Sequence, residues 1–186
     1  MKKVLIILVV LVVLIAGYYW ATYNRLVNAN EAVTNQWAQV ETQYQRRFDL
    51  IPNLVESVKG MMAQEQKVFG DLADARTRYS GAATADEKAV AATEVEGALS
   101  RLLVVMENYP DLKSSENVTT LMAQLEGTEN RISVERKRYN DQVQNFNVVI
   151  KRFPTNIVAG QLGYSQKSYF EAADEAATAP KVDLQN

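Results

Sequence analysis

The chain has 186 residues, with 20 basic and 22 acidic side chains, no histidine and no cysteine. This length suits one domain with an appendage, and the missing residue types exclude Ser-His-Asp hydrolases, zinc fingers and His-bearing di-iron bundles. The net charge of −2 argues against nucleic acid as a partner, because nucleic acid requires a basic footprint. We therefore expect no catalytic residues, no metal and no cofactor.

The first predicted element is a transmembrane helix. After a short N-terminus at residues 1–3, residues 4–23 carry no charge, and about 20 apolar residues cross the hydrocarbon core of a bilayer as a helix. The span ends in Tyr18, Tyr19 and Trp20, whose rings suit the membrane interface. A cleaved signal peptide is the alternative, but these bulky rings stand where a cleavage site requires small residues.

The charges beside the span predict its orientation. Lys2, Lys3 and the amino terminus precede it, whereas Arg25 is the only basic residue among the twenty residues that follow it. The positive-inside rule therefore places the N-terminus in the cytoplasm and the larger domain on the extracytoplasmic, periplasm-like side.

Four long helices are predicted after the span. Apolar residues recur there at the alternating three- and four-residue spacing of a bundle seam, and the prolines divide the chain between helices. Short connections favour an all-α fold in which the transmembrane helix continues into an antiparallel, up-down-up-down four-helix bundle over residues 24–153. The helices are expected to run from residue 24 to about 48, from Pro52 to Tyr79, from about Ala92 to Tyr109 and from about 116 to Phe153.

The predicted lengths of these helices differ. Residues 116–153 make a helix of about 57 Å, whereas residues 24–48 make one of about 37 Å. The longer helix is therefore expected to overhang at its distal end or to contact another copy.

Two segments follow the predicted bundle. Residues 154–173 are expected to lie near the membrane, where their apolar side chains complete the base of the bundle, enter the lipid interface or pack on a neighbouring subunit. These side chains are Ile157, Val158, Leu162, Tyr164, Tyr169 and Phe170. Residues 174–186 are small and acidic, which predicts a disordered tail.

Charged residues interrupt the predicted seams at Arg47, Glu65, Arg76, Glu129 and Arg136. One interpretation is a buried polar network that fixes the register of the helices. The other is that these long side chains lie at the edge of the seam, with their stems packed and their charges in water. Glu65 and Glu129 stand at matching heights, but without histidine the ligand set of a carboxylate metal site is incomplete.

A turn is predicted between the first and second helices. It contains Arg46, Arg47, Asp49, Pro52 and Asn53. Proline is accepted in the first turn of a helix, Asp49 can cap that turn, and the arginines suit the end of the preceding helix. Capping chemistry explains these residues, and the functional alternative is a docking corner for a partner at the end farthest from the membrane.

Several motifs resemble those of the LemA family of bacterial membrane proteins. The run RRFDLIPNLV at residues 46–55 is quite specific, and the likeness extends from the anchor to about residue 173. The other matching motifs are NRLV at 24–27, Trp37, ENRI at 129–132, Phe153-Pro154, GY at 163–164 and YFEA at 169–172. The resemblance implies one transmembrane helix and an antiparallel helical bundle, here in the inner membrane of a bacterium, and it brings no catalytic residues.

The sequence suggests three functional hypotheses. The leading hypothesis is a non-enzymatic envelope scaffold or membrane-organising element that contacts the lipid bilayer and acts by self-association as a homo-oligomer. The second is an envelope sensor or adaptor that binds another envelope protein or a peptide through the docking corner. A hydrolase that uses the paired carboxylates of Glu65 and Glu129 is the third, and it lacks an evident open site with tuned neighbours.

Overall fold

The structure of the protein is a computed structural model that describes residues 1–113 and 115–170. The predicted acidic tail at residues 174–186, and the end of the aromatic segment at 171–173, lie outside the described residues.

The described part of the chain is all-α and contains no strand, which confirms the all-α part of the predicted fold. Six helices follow one another through it. They are α1 (Lys2–Lys59), α2 (Gln66–Gly81), α3 (Ala85–Met106), α4 (Pro110–Lys113), α5 (Glu116–Lys151) and α6 (Thr155–Gln161).

The N-terminal part of α1 exposes an unbroken apolar surface. The large apolar side chains between residues 4 and 15 are each more than half exposed. This part of the helix is long and apolar enough, by length and composition, to cross a membrane.

The prediction of a turn at residues 46–53 is wrong. Helix α1 passes through Pro52 and ends at Lys59. Asp49 therefore caps no helix, and its carboxylate instead accepts a hydrogen bond of 2.8 Å from the side chain of Gln45.

Burial on both sides of Pro52 explains why the helix continues. A proline inside a helix removes one hydrogen bond and costs about 3 kcal/mol, which makes it a usual marker of a helix boundary. Here apolar side chains are buried at helical spacing on either side of the proline, and packing supplies most of the stability of a helix in a protein. These side chains are Tyr44, Phe48, Ile51, Leu54 and Val58.

Helix α1 ends later, at Lys59, within the predicted second helix. After Gly60 the backbone makes turns, and the carbonyl of Val58 accepts hydrogen bonds from the amides of Met61 and Met62. Because α1 takes up the residues to 59, its part after residue 23 has as many residues as α5, about 54 Å in each case. The predicted difference in length is therefore wrong.

The chain divides into two compact units, and α1 and α5 contribute to both. Among the described residues, the first unit contains Met1–Val40 and Glu135–Tyr169, and the second contains Glu41–Val134 and Phe170. In the first unit, Trp37 of α1 meets Tyr139 of α5 edge to face, with ring centroids 5.6 Å apart.

The second unit is built around the hairpin of α2 and α3. Helix α3 begins with a capping box in which the hydroxyl of Thr84 accepts from the amide of Glu87, whose carboxylate accepts from the amide of Thr84. The Glu87 carboxylate accepts hydrogen bonds from the backbone amides of Ala83 and Thr84, and these two hydrogen bonds lower its pKa. This cap defines the linker between α2 and α3.

Helix α6 is not predicted from the sequence. It ends at Gln161, and Gly163, two residues further on, has a φ of 73°, in the left-handed region that favours glycine. The amide of Gly163 donates to the carbonyl of Gly160, and that of Tyr164 donates to Ala159. This is the hydrogen-bonding pattern of a Schellman motif, which redirects the chain into the extended segment that follows.

Candidate functional site

Arg47 is buried in the second unit and bridges three helices. It is 7% exposed, and its guanidinium lies 3.3 Å from the carboxylate of Glu96 on α3 and 2.6 Å from that of Glu129 on α5. The Nε atom of Arg47 is buried without a hydrogen-bond partner. One cation therefore joins α1 to two acidic side chains on neighbouring helices.

The charged residues predicted on the seams differ in the contacts that they make. Arg47 and Glu129 meet, whereas Glu65 accepts a hydrogen bond of 3.4 Å from the Tyr109 hydroxyl. Arg76 and Arg136 are each half-buried on their own helices.

Glu96 completes the Arg47 cluster, and sequence reasoning missed it. It follows the seam residue Val95 on α3, at a position that a seam pattern assigns to the edge of the helix. A search for acidic residues beside the seam, rather than on it, would have found it.

A cleft of about 750 Å³ opens beside the Arg47 cluster. Helices α3 and α5 form its walls, with Leu99 and Leu103 on one side and Met122 and Leu125 on the other. The carboxylates of Glu96, Glu126 and Glu129 also line it. The cleft therefore combines an apolar floor with acidic edges.

A second cavity of about 470 Å³ continues the cleft along the same two helices. The two cavities share Leu103, Thr119 and Met122, and the second adds Val104 and Glu107. We call the two together the α3–α5 groove. Four glutamates and one arginine line it, so its formal charge is −3. An apolar groove with a net negative charge suits an amphipathic helix of opposite charge.

The residues of the predicted docking corner lie on one continuous helix. Arg46, Asp49 and Asn53 are exposed at spacings of three and four residues, which places them on one face of α1, and Arg47 is buried. Pro52 is half-buried. The geometry thus provides an exposed polar face rather than a corner, and its docking role stays a prediction.

An aromatic cluster packs α1 against α2 in the second unit. Phe48 and Tyr79 are edge to face with ring centroids 4.5 Å apart, and Tyr44 lies 5.7 Å from Tyr79. The hydroxyl of Tyr79 is buried without a hydrogen-bond partner. Burial, with smaller contributions from Glu41 and Tyr44, raises the pKa of Tyr79 well above its ordinary value.

The aromatic segment after α5 is divided between packed and exposed side chains. Val158 is buried and Leu162 and Phe170 are half-buried, and Tyr164 meets Phe146 edge to face at 5.7 Å. Ile157 and Tyr169 are exposed. The segment therefore covers part of its own unit and also presents apolar groups outward.

Asn147 holds the end of this segment against α5. Its buried side chain accepts a hydrogen bond from the backbone amide of Lys167 and donates one to the carbonyl of the same residue, both at 2.9 Å. The ammonium of Lys167 lies 5.3 Å from the centre of the Phe146 ring, within cation–π distance.

Of the three predicted interfacial rings, Tyr18 lies beside the start of α6. The hydroxyl of Tyr18 is within hydrogen-bonding reach of Thr22 and Thr155, and both threonines are buried. Tyr19 and Trp20 are exposed. The end of the apolar part of α1 therefore meets the junction between α5 and α6.

Together these features define an all-α protein with one N-terminal apolar helix that is long enough to cross a membrane. The model of the LemA family matches residues 36–184, and the chain belongs to that family. The family predicted from the motifs is thus confirmed.

Three curated relatives are similar to most of the chain. Magnetosome protein MamQ 2 of Paramagnetospirillum magneticum and magnetosome protein MamQ of Magnetospirillum gryphiswaldense are each 25% identical over 189 residues, which cover 86% of this chain and 70% of the relative. Protein LemA of Metamycoplasma hominis is 22% identical over 167 residues, which cover 87% of this chain and 76% of the relative.

Proposed function

We propose that the chain is a single-pass envelope scaffold that organises a membrane by self-association and performs no catalysis. The observation that carries this proposal is the α3–α5 groove, whose apolar floor stands beside Val104, a side chain that is 67% exposed. An apolar groove of this size gains stability when a second polypeptide covers it. The names of the matched relatives describe no enzymatic activity, which supports the same conclusion.

The proposed arrangement of the helices is the antiparallel, up-down-up-down bundle. In the first unit, Tyr18 is near Thr155 and Trp37 is near Tyr139. Residue numbers increase along α1 while those of the partner residues decrease, as in an antiparallel pair. In the second unit, Glu41 pairs with Lys88 and Arg47 with Glu96, so α1 and α3 run in the same direction. Both patterns support alternating helix directions.

The proposed location is the bacterial inner membrane, with residues 1–3 in the cytoplasm and the packed helices on the extracytoplasmic side. The apolar part of α1 supports a span, and Lys2 and Lys3 before it support the orientation.

The charge of the groove determines how copies would meet. Two grooves that faced each other would bring like charges together, which is unfavourable. A second copy would therefore offer a different surface, and such a contact is head to tail and extends to a ring or a filament.

A matched pair of substitutions on α3 tests whether the groove mediates association. Val104 lines the groove, whereas Val90 is 65% exposed on the same helix and lines neither cavity. Val104→Lys should reduce the co-purification of two differently tagged full-length copies in mild detergent by roughly tenfold, the effect of about 1.4 kcal/mol at a buried apolar contact. Val90→Lys should leave it unchanged. Equal co-purification of both variants and the unsubstituted chain would contradict the proposal.

A second candidate function is an adaptor that binds the basic amphipathic helix of another envelope protein. The four glutamates that line the groove favour it, because opposite charges steer and select a partner. Complexes of this kind should dissociate as salt rises, and they should contain a protein other than this chain.

A further inference from the structure

A second surface with its own chemistry lies in the first unit, where α5 gives way to α6. Phe153 is 80% exposed and Ile157 is 54% exposed. Both lie close in sequence to Thr155, the residue within reach of Tyr18 at the end of the apolar part of α1. These side chains therefore stand at the level where the predicted span leaves the hydrocarbon core.

Within the described residues, the two segments that form this surface carry charges of one sign. Residues 1–30 and 142–170 contain no aspartate or glutamate. Arg25, Lys151 and Arg152 are exposed there. These two segments therefore carry basic side chains, and no acidic residue lies close to those side chains in the sequence.

From this juxtaposition we infer that the α5–α6 elbow is a binding site for anionic lipid head groups. Phe153 and Ile157 enter the interfacial layer of the bilayer, and Arg25, Lys151 and Arg152 bind phosphate groups beside them. Exposed apolar rings flanked by cations are the combination by which a protein surface engages anionic lipid.

The occupant is a bilayer rather than a soluble partner, because α1 is continuous with the apolar segment that enters it. The span holds the elbow at the membrane surface, so binding requires no separate encounter. A lipid surface also satisfies cations and apolar side chains together, as the elbow requires.

The absence of cysteine in the chain allows a direct test with a single label. The full-length Asn156→Cys protein would carry a fluorophore at the elbow, where Asn156 is exposed. The control, Val134→Cys, places the same label on α5 at a residue that is 49% exposed. Each protein would be reconstituted in vesicles of phosphatidylcholine, with or without phosphatidylglycerol, that contain brominated lipid as a quencher.

We expect strong quenching at residue 156 in vesicles with phosphatidylglycerol, weaker quenching in pure phosphatidylcholine, and little at residue 134 in either. Lys151→Gln with Arg152→Gln should lower the ratio of inserted to exposed label by about fivefold or more, and about 1 M salt should have a similar effect because the Debye length falls to about 3 Å. Phe153→Ser with Ile157→Ser should reduce quenching in both lipids.

Two results would overturn the inference. One is quenching at residue 156 no stronger than at residue 134. The other is quenching that is equal in the two lipids and unchanged by the glutamine substitutions. Because the readout is the depth of one label in the bilayer, it is independent of whether copies associate, and the two proposals can fail separately.

Discussion

At the residue scale, Arg47 shows how far a sequence pattern can locate a site. Helical spacing places Arg47 and Glu129 on facing seams, and the structure brings their charges within 2.6 Å. The third member of the cluster, Glu96, is next to a seam residue rather than on the seam, and Arg47 nevertheless contacts it. Spacing reports which face a residue occupies, but it does not report the direction in which a long side chain extends.

The buried phenol of Tyr79 makes the stability of the protein fall at alkaline pH. Its raised pKa means that the folded state keeps the phenol protonated, whereas an unfolded tyrosine ionises near pH 10. This contribution is therefore complete below about pH 10 and falls by at most about 1.4 kcal/mol for each pH unit above it. Tyr79→Phe should make the loss of stability above pH 10 shallower.

Tyr79→Phe should also leave stability at neutral pH unchanged or raise it by about 1 kcal/mol, because the buried hydroxyl has no hydrogen-bond partner. Chemical unfolding followed by circular dichroism measures both effects. Tyr169→Phe, at an exposed phenol, serves as the control. An alkaline loss for Tyr79→Phe as steep as that of the unsubstituted protein would contradict the account.

At the element scale, the break after the first helix does not lie at the proline where local rules predict it. Pro52 was expected to begin a helix and lies inside one, whereas the chain turns after Gly60. The sequence predicts helix on each side of Pro52, as the structure has it, but it does not predict the position of the break between helices. A local rule for proline cannot weigh the long-range burial of the side chains around it.

Pro52→Ala tests the continuity of α1. If the helix runs through residue 52, the alanine restores a hydrogen bond and should raise the free energy of unfolding by about 1–2 kcal/mol. Pro110→Ala is the control, because Pro110 is the first residue of α4, where proline is tolerated, and it should change stability little. Denaturant titration measures both variants. A Pro52→Ala protein less stable than the parent would contradict a continuous α1 and favour the turn expected from the sequence.

The helices that local rules did predict share a simple feature. Helix α5 (Glu116–Lys151) follows the predicted fourth helix closely, because its apolar spacing is regular and it contains no proline. Helix α6 was missed because seven residues are too few to show a period, and its end depends on one glycine with positive φ.

At the scale of the whole molecule, the features on which the two proposals rest are surfaces. One is the acidic, apolar α3–α5 groove, and the other is the basic, apolar elbow between α5 and α6. Neither follows from composition alone, since the net charge of −2 conceals regions of opposite sign. The sequence predicts that residues 154–173 lie near the membrane, and the hydrogen bond between Tyr18 and Thr155 supports that prediction.

The native mass of the full-length protein tests the central claim of self-association most directly. Light scattering of the detergent-solubilised chain, with the bound detergent subtracted, gives the number of copies in each particle across a range of protein concentrations. We expect particles of two or more copies, and we expect Val104→Lys, but not Val90→Lys, to shift them towards single chains. A strict monomer at the highest concentrations would contradict the proposal that this protein works by associating with itself.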